Sequence, residues 1–297
     1  MTTWREHLDG PTALDVAHLD AALGRQLASQ ELVLALLDPR GHLFQRLEYV
    51  GDALLDVAVL RALVLAEPWD EPSLSFVSDE QQALVSDHAL GRVAARRGLP
   101  DVRTFEASRH RLADRIEAAI GAAWADAGVD AAEQVADRLV VAPGLPHLPR
   151  AGAVPDSAPD VRYEDAARLC GHDVRAPGWF GAAAAGGPRR RRLAVVGDAV
   201  LEAACSTSQY VDDPLATEAQ MSEERRGAMS NAAIAGRAHE LGLVPRKEDA
   251  DDCRSVADEV QALVGAATFD GGFAAGLGVS AAVLGCTYAP GPVDVLA

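Results

Sequence analysis

Residues 46–55 read Arg-Leu-Glu-Tyr-Val-Gly-Asp-Ala-Leu-Leu, and residues 192–201 read Arg-Leu-Ala-Val-Val-Gly-Asp-Ala-Val-Leu. Two further blocks recur in the same order. Leu84-Val85-Ser86-Asp87-His88-Ala89-Leu90, running on to Gly98-Leu99, returns as Ala228-Met229-Ser230-Asn231-Ala232-Ala233-Ile234, running on to Gly242-Leu243. Ala113-Asp114-Arg115-Ile116-Glu117-Ala118, with Gly121-Ala122-Ala123, returns as Ala257-Asp258-Glu259-Val260-Gln261-Ala262, with Gly265-Ala266-Ala267. Asp52 to Asp198 is a step of 146; Gly98 to Gly242 and Asp114 to Asp258 are steps of 144. Shared composition alone would match alanines; here glycines and aspartates match too, so the chain is a tandem repeat of one fold.

The repeat fixes the domain organisation. A chain of 297 residues can build two cores. The expected domains are 14–142 and 160–290, joined by a linker over 143–159. That linker is rich in proline and without apolar periodicity, from Ala142-Pro143-Gly144 to Pro155-Asp156-Ser157-Ala158-Pro159. Apolar residues recur at helical spacing through Leu54 to Leu63, Leu84 to Val93 and Ile116 to Val129, and no run of alternating β-branched residues appears. The fold class is therefore all-α. Gly98-Leu99-Pro100 and Gly242-Leu243-Val244-Pro245 read as helix stops, because glycine followed by proline cannot continue a helix. Ala182 to Pro188 reads as a mobile loop running into Arg189–Arg192.

Composition excludes several classes. No stretch is long and apolar enough for a membrane helix, and the N-terminus lacks a signal-peptide pattern, which suggests a cytoplasmic protein. Four scattered cysteines without a C-x-x-C pair argue against zinc or a disulfide framework. The net charge is −17, with 14 basic against 23 acidic residues in 1–150 and 13 against 21 in 151–297. Basic residues gather only locally, at Arg96-Arg97, Arg103 to Arg115 and Arg189 to Arg192. A polyanion partner must be held by local arginines rather than by the overall field.

The chemistry lies in four carboxylates. Glu48 and Asp52 are four apart, and Asp114 and Glu117 three apart, so each pair shares a helix face. Asp52 follows Gly51 in an apolar segment where an isolated carboxylate would be costly, and Asp114 and Glu117 precede an equally apolar run. Two helices offering two carboxylates each can converge on a hard divalent cation such as Mg²⁺ or Mn²⁺.

The segment 46–55 resembles the signature motif of the ribonuclease III family, and the blocks Leu84-Val85-Ser86 and Ala113–Gly121 resemble that family's other helical landmarks in their order. The resemblance covers roughly 14–142 and again roughly 160–290. It implies all-helical catalytic domains that pair, Mg²⁺-dependent cleavage of double-stranded RNA, and, for a tandem copy, an intramolecular pseudo-dimer as in Dicer-like enzymes, with the chain acting as a monomer. It places the catalytic, metal-binding carboxylates on Glu48, Asp52, Asp114 and Glu117. In the second copy the same positions are Ala194, Asp198, Asp258 and Gln261. Two formal negative charges are lost, so that site is expected not to hold catalytic metal.

Each half also lacks something the other keeps. Gln45 and Gln81 stand where many relatives carry Glu and Arg, whereas the second half has Glu218 and Arg225. These two are expected to support the first half across the pseudo-dimer interface. The resemblance leads to the expectation of no separate double-stranded-RNA-binding module after the second copy. Asp126-Ala127-Gly128 and Asp270-Gly271-Gly272 are read as helix ends, His42 as a solvated loop residue, Trp124 and Phe269 as core, and Arg189–Arg192 as a loop free to meet phosphate or solvent. The leading expectation is a metal-dependent endoribonuclease with one site in the first domain. The alternatives are a non-nucleolytic RNA-binding scaffold and an enzyme turned to a small substrate.

Overall fold

A computed structural model describes residues 10–66, 75–99, 109–145, 154–243 and 250–293. The described residues are helical and contain no strand. The first half runs α1 (Gly10–Leu23), α2 (Gln30–Leu37), α3 (His42–Ala66), α4 (Ser75–Val85), α5 (Asp87–Arg97), α6 (Arg109–Ala127) and α7 (Val129–Ala136). A π-helical turn over Asp137–Val141 and a last turn over Ala142–Gly144 extend α7. The second half repeats the order: α8 (Val161–Leu169), α9 (Pro177–Ala184), α10 (Gly187–Asp212), α11 (Glu218–Ala228), α12 (Asn231–Glu240), α13 (Ala250–Gly271) and α14 (Phe273–Leu284). Each helix of the first half thus has its counterpart seven later. Among the described residues no helix is long and apolar enough to cross a membrane.

Local chemistry sets the boundaries in matched pairs. Ser86 accepts from the Ala89 N–H at the start of α5, and Ser230 accepts from the Ala233 N–H at the start of α12, each satisfying an otherwise orphaned helix donor. Gly128 and Gly272, at φ 87° and 89°, break α6 from α7 and α13 from α14 in a left-handed turn that a side chain would strain. Gly98 closes α5 as a left-handed C-cap at φ 65°, as expected; its partner Pro100 and the Val244-Pro245 pair lie outside the described residues.

The chain divides into two compact units: Met1–Val59 with Gln82–Pro146 and Gly291–Ala297, and Leu60–Gln81 with His147–Pro290. In the first unit α6 is central. Ala118, Ala119, Ile120, Ala122, Ala123, Trp124 and Ala125 are all buried, so this helix meets protein on every side. Helix α3 crosses it with Phe44, Leu47, Val50 and Leu54 buried. The crossing is made by glycine. A Cβ on Gly51 would lie 1.7 Å from the Glu117 carbonyl oxygen, and a Cβ on Gly121 would lie 2.0 Å from that of Leu47. The second unit repeats the geometry: Gly197 faces the Gln261 carbonyl at 1.7 Å, and Gly265 faces that of Leu193 at 2.1 Å.

Two sequence readings change here. Arg189–Arg192 are not in a loop but in the first turns of α10, and Ala182–Ala184 close α9. Alanine favours helix, and the arginines are tied to backbone. Arg190 donates from Nε to the Ala183 carbonyl at 2.8 Å and from Nη2 to that of Ala184 at 3.0 Å; Arg189 donates to the Asp156 carbonyl and Ser157 Oγ; Arg192 is buried. Part of the expected linker is also packed. The Pro155 and Ala158 carbonyls press on α9 where a Cβ on Gly178 or Gly181 would stand. Residues 146–153 and Arg103 lie outside the described residues.

Candidate active site

The glycine crossing places the carboxylates. Glu48 and Asp52 flank Gly51 on α3, one turn apart, and Asp114 and Glu117 sit one turn apart on α6. Because Gly51 lets α3 rest on the Glu117 backbone, the two pairs converge. One carboxylate oxygen each from Glu48, Asp114 and Glu117 lie within 4.8 Å of one another, and all three residues are half-buried. Among the described residues no other group of three His, Cys, Asp or Glu meets that criterion.

Asp52 is placed differently from the other three: it is exposed, at the rim of the cluster. The apolar residues around it in sequence point to other faces of α3, so its carboxylate does not bear the burial cost that the sequence suggested. It is nonetheless close in charge. Glu117 is pushed up to about 9, first by burial and then by the charges of Asp52, Glu48, Asp114 and, least, Asp87. Asp87, at the start of α5, is an acid that the sequence reading passed over; its replacement by Asn231 in the second copy was the available signal. A half-buried carboxyl that burial and four neighbouring acids together hold in its protonated form suits a divalent cation. The donor set is all oxygen, matching hard Mg²⁺ or Mn²⁺.

The second copy answers the same repulsion internally. Gln261 donates from Nε2 to Asp198 Oδ1 at 2.7 Å, while Ala194 is buried and Asp258 is exposed. Asp198 is raised overall, first by burial and also by the Asp258 charge, with the Gln261 amide opposing them. An amide bonds one of the two remaining carboxylates, Asp198, where the first copy has Glu117. Arg225 donates from Nη1 to Ser206 Oγ at 3.1 Å, and its charge lowers Glu202, whose pKa burial raises. Glu218 is exposed at the start of α11, whose N-cap is the Thr217–Gln220 capping box.

The residues set aside in the sequence also find their places. Asp126 Oδ1 accepts from the Ala28 and Ser29 N–H groups at 2.7 and 3.1 Å. Asp270 accepts from those of Arg175 and Ala176. Each aspartate holds the N-terminal end of the second helix of its unit, a tertiary cap rather than a helix end alone. Trp124 is buried, Phe269 stacks on Trp179 with centroids 4.9 Å apart, and His42 is exposed at the first residue of α3.

The ribonuclease III domain family matches residues 45–128. Ribonuclease 3 of Bordetella avium is 31% identical over 140 residues, 43% of this chain and 55% of that protein. Ribonuclease 3 of Leifsonia xyli is 35% identical over 133 residues, 41% of this chain and 54% of that protein. The chain thus spans little more than half the length of these relatives. A crystal structure of Dicer from Giardia intestinalis superposes on 84% of this chain and 56% of its own, with a TM-score of 0.57 and 15% identity, a likeness of fold that takes in both halves. Residues 45–128, which carry the signature segment and the three converging carboxylates, match the ribonuclease III domain family, so the first half of this chain is similar to a ribonuclease III domain.

Proposed function

We propose that the first half hydrolyses phosphodiesters of double-stranded or structured RNA at one active site, and that the second half serves as its structural partner in an intramolecular pseudo-dimer. The observation that carries this reading is the convergence of Glu48, Asp114 and Glu117 oxygens within 4.8 Å, against an amide-bonded Asp198 at the repeated position.

Glu48, Asp114 and Glu117 would hold Mg²⁺ or Mn²⁺, with Asp52 at the rim. A bound dication supplies an acidified water and charge stabilisation for the departing oxygen. The chain's own part is to hold acceptors. Ionised carboxylates accept hydrogen bonds and donate none, so the cluster orients a water's hydrogens toward protein. Asp52 is the exposed member of the four carboxylates. Glu117, pushed up to about 9 by burial and its acidic neighbours, would give up its proton as positive charge enters. The domain pair at 14–142 and 160–290, and the support lent by Glu218 and Arg225, belong to the same proposal.

Duplex RNA incubated with Mn²⁺ tests this, wild type beside Glu117→Gln. The proposal expects cleavage by the wild type and none by the variant. Cleavage that survives Glu117→Gln, or Mn²⁺ that fails to bind the wild type in calorimetry, would sink it.

A further inference from the structure

The two units differ at one corner, where α1 meets α7 in the first and α8 meets α14 in the second. In the first unit Arg138 fills the corner. Its Nε donates to the Ala22 carbonyl at 3.0 Å and its Nη2 to that of Ala21 at 3.2 Å, capping the C-terminal end of α1. Its side chain lies against Gly24, where a Cβ would meet Nε at 2.7 Å. Gly24 has φ 71° and corresponds to Gly171 at φ 80°, which makes Arg168 and Leu169 the counterparts of Ala21 and Ala22.

The residue 144 after Arg138 is Ala282. The slot that the guanidinium fills in the first unit is therefore open in the second. A Cβ on Gly171 would meet nothing within 4 Å, and a groove of about 650 Å³ runs past Cys170, Gly171, Asp173, Ala282 and Tyr288. Leu169 is 70% exposed where its counterpart Ala22 is 4% exposed.

We propose that this groove of the second unit receives an arginine side chain carried by another polypeptide. The chemistry of the occupant comes from the repeat itself, since the same corner of the first unit takes a guanidinium. The attraction is complementary. The C-terminal end of α8 presents carbonyls, each with two lone pairs, and the negative end of the helix dipole. The Arg168 carbonyl, counterpart of the Ala21 carbonyl that Arg138 bonds, accepts from the Gly171 N–H, and Gly171 itself lines the groove. Tyr288, 47% exposed, lines the same groove, and its hydroxyl donates to the Ala274 carbonyl. Asp173 and Arg175 line the same groove and bring opposite charges to it. A groove of this volume exceeds one side chain and has room for the peptide that carries it, which decides for a polypeptide over a free guanidine.

The test is anisotropy with a fluorescent glycine-flanked peptide holding a single arginine, and its citrulline twin. The arginine peptide binds saturably to the full chain, and the citrulline peptide binds at least about tenfold more weakly, because a charge-assisted bond is lost. Ala282→Arg fills the slot from within: it abolishes peptide binding and raises the Tm by about 2–4 °C, the response of a domain this size to one new cap. Tyr288→Ala weakens the peptide without changing helix content by circular dichroism. The proposal is overturned if the citrulline peptide binds equally, if Ala282→Arg lowers the Tm or leaves peptide binding intact, or if agmatine alone binds as tightly as the peptide.

Discussion

Replacing Gly51 by alanine tests how the site is built. The added Cβ would stand 1.7 Å from the Glu117 carbonyl oxygen, and Gly121 N would lie 2.9 Å away. Ordinary contact needs more than 3 Å, so α3 must lift off α6 by about 1.5 Å. The neighbour is backbone, so no rotamer change relieves the clash. The cost falls at the upper end for overpacking, about 3 kcal/mol, or about 6–12 °C of Tm for a unit of this size. The same lift spreads Glu48 away from Asp114 and Glu117. Gly197→Ala is the matched control, because its Cβ would stand 1.7 Å from the Gln261 carbonyl. Both variants should lose comparable stability by calorimetry, while only Gly51→Ala should lose Mn²⁺ affinity and RNA cleavage below its melting point. If Gly51→Ala binds Mn²⁺ as the wild type does, or if Gly197→Ala loses Mn²⁺ to the same extent, the crossing does not set the cluster.

Further outcomes follow from the same geometry. Glu117 is protonated in the folded, cation-free protein up to about pH 9 but ionises near 4.5 when unfolded, so the folded state binds the extra proton between those values. Stability of the cation-free protein should therefore fall as pH rises through that window. Saturating Mn²⁺ should flatten the fall, and its binding at neutral pH should release a proton, visible as a buffer-dependent calorimetric heat; a buffer-independent heat would contradict this. Ala194→Glu with Gln261→Glu should create a second Mn²⁺ site in the second half, read as a doubled stoichiometry in titration; an unchanged stoichiometry would show that more than two residues were lost there. Asp126→Ala and Asp270→Ala should each cost about 1–2 kcal/mol in denaturant unfolding, since each leaves two helix-end N–H groups without their acceptor. Loss of Mn²⁺ binding at unchanged stability in Asp126→Ala would instead mark it as a ligand.

Much of this was legible in the chain because the repeat doubled many of the structural signals. Asp52 and Asp198, or Ser86 and Ser230, confirm one another where either alone would be weak. The all-helical class followed from apolar spacing, and the carboxylate pairs from their one-turn separation. What the sequence hid was tertiary. Gly51 looked like a neighbour of Asp52, but its missing Cβ is what admits the Glu117 backbone, a close approach that no local pattern reports. Arg189 and Arg190 looked like a solvated run because charge in sequence says nothing about which carbonyls end nearby; they bond the carbonyls of Asp156, Ala183 and Ala184. Asp126 looked like part of a helix stop because its partners, Ala28 and Ser29, are nearly a hundred residues away.

The central claim is one working site beside one repaired with an amide. Duplex RNA labelled separately on each strand, cut under single-encounter conditions with Mn²⁺, measures it most directly. The account predicts a nick in one strand per encounter, abolished by Asp114→Ala and retained in Asp198→Ala. Paired cuts in both strands, or activity lost with Asp198→Ala while the fold is kept, would contradict it.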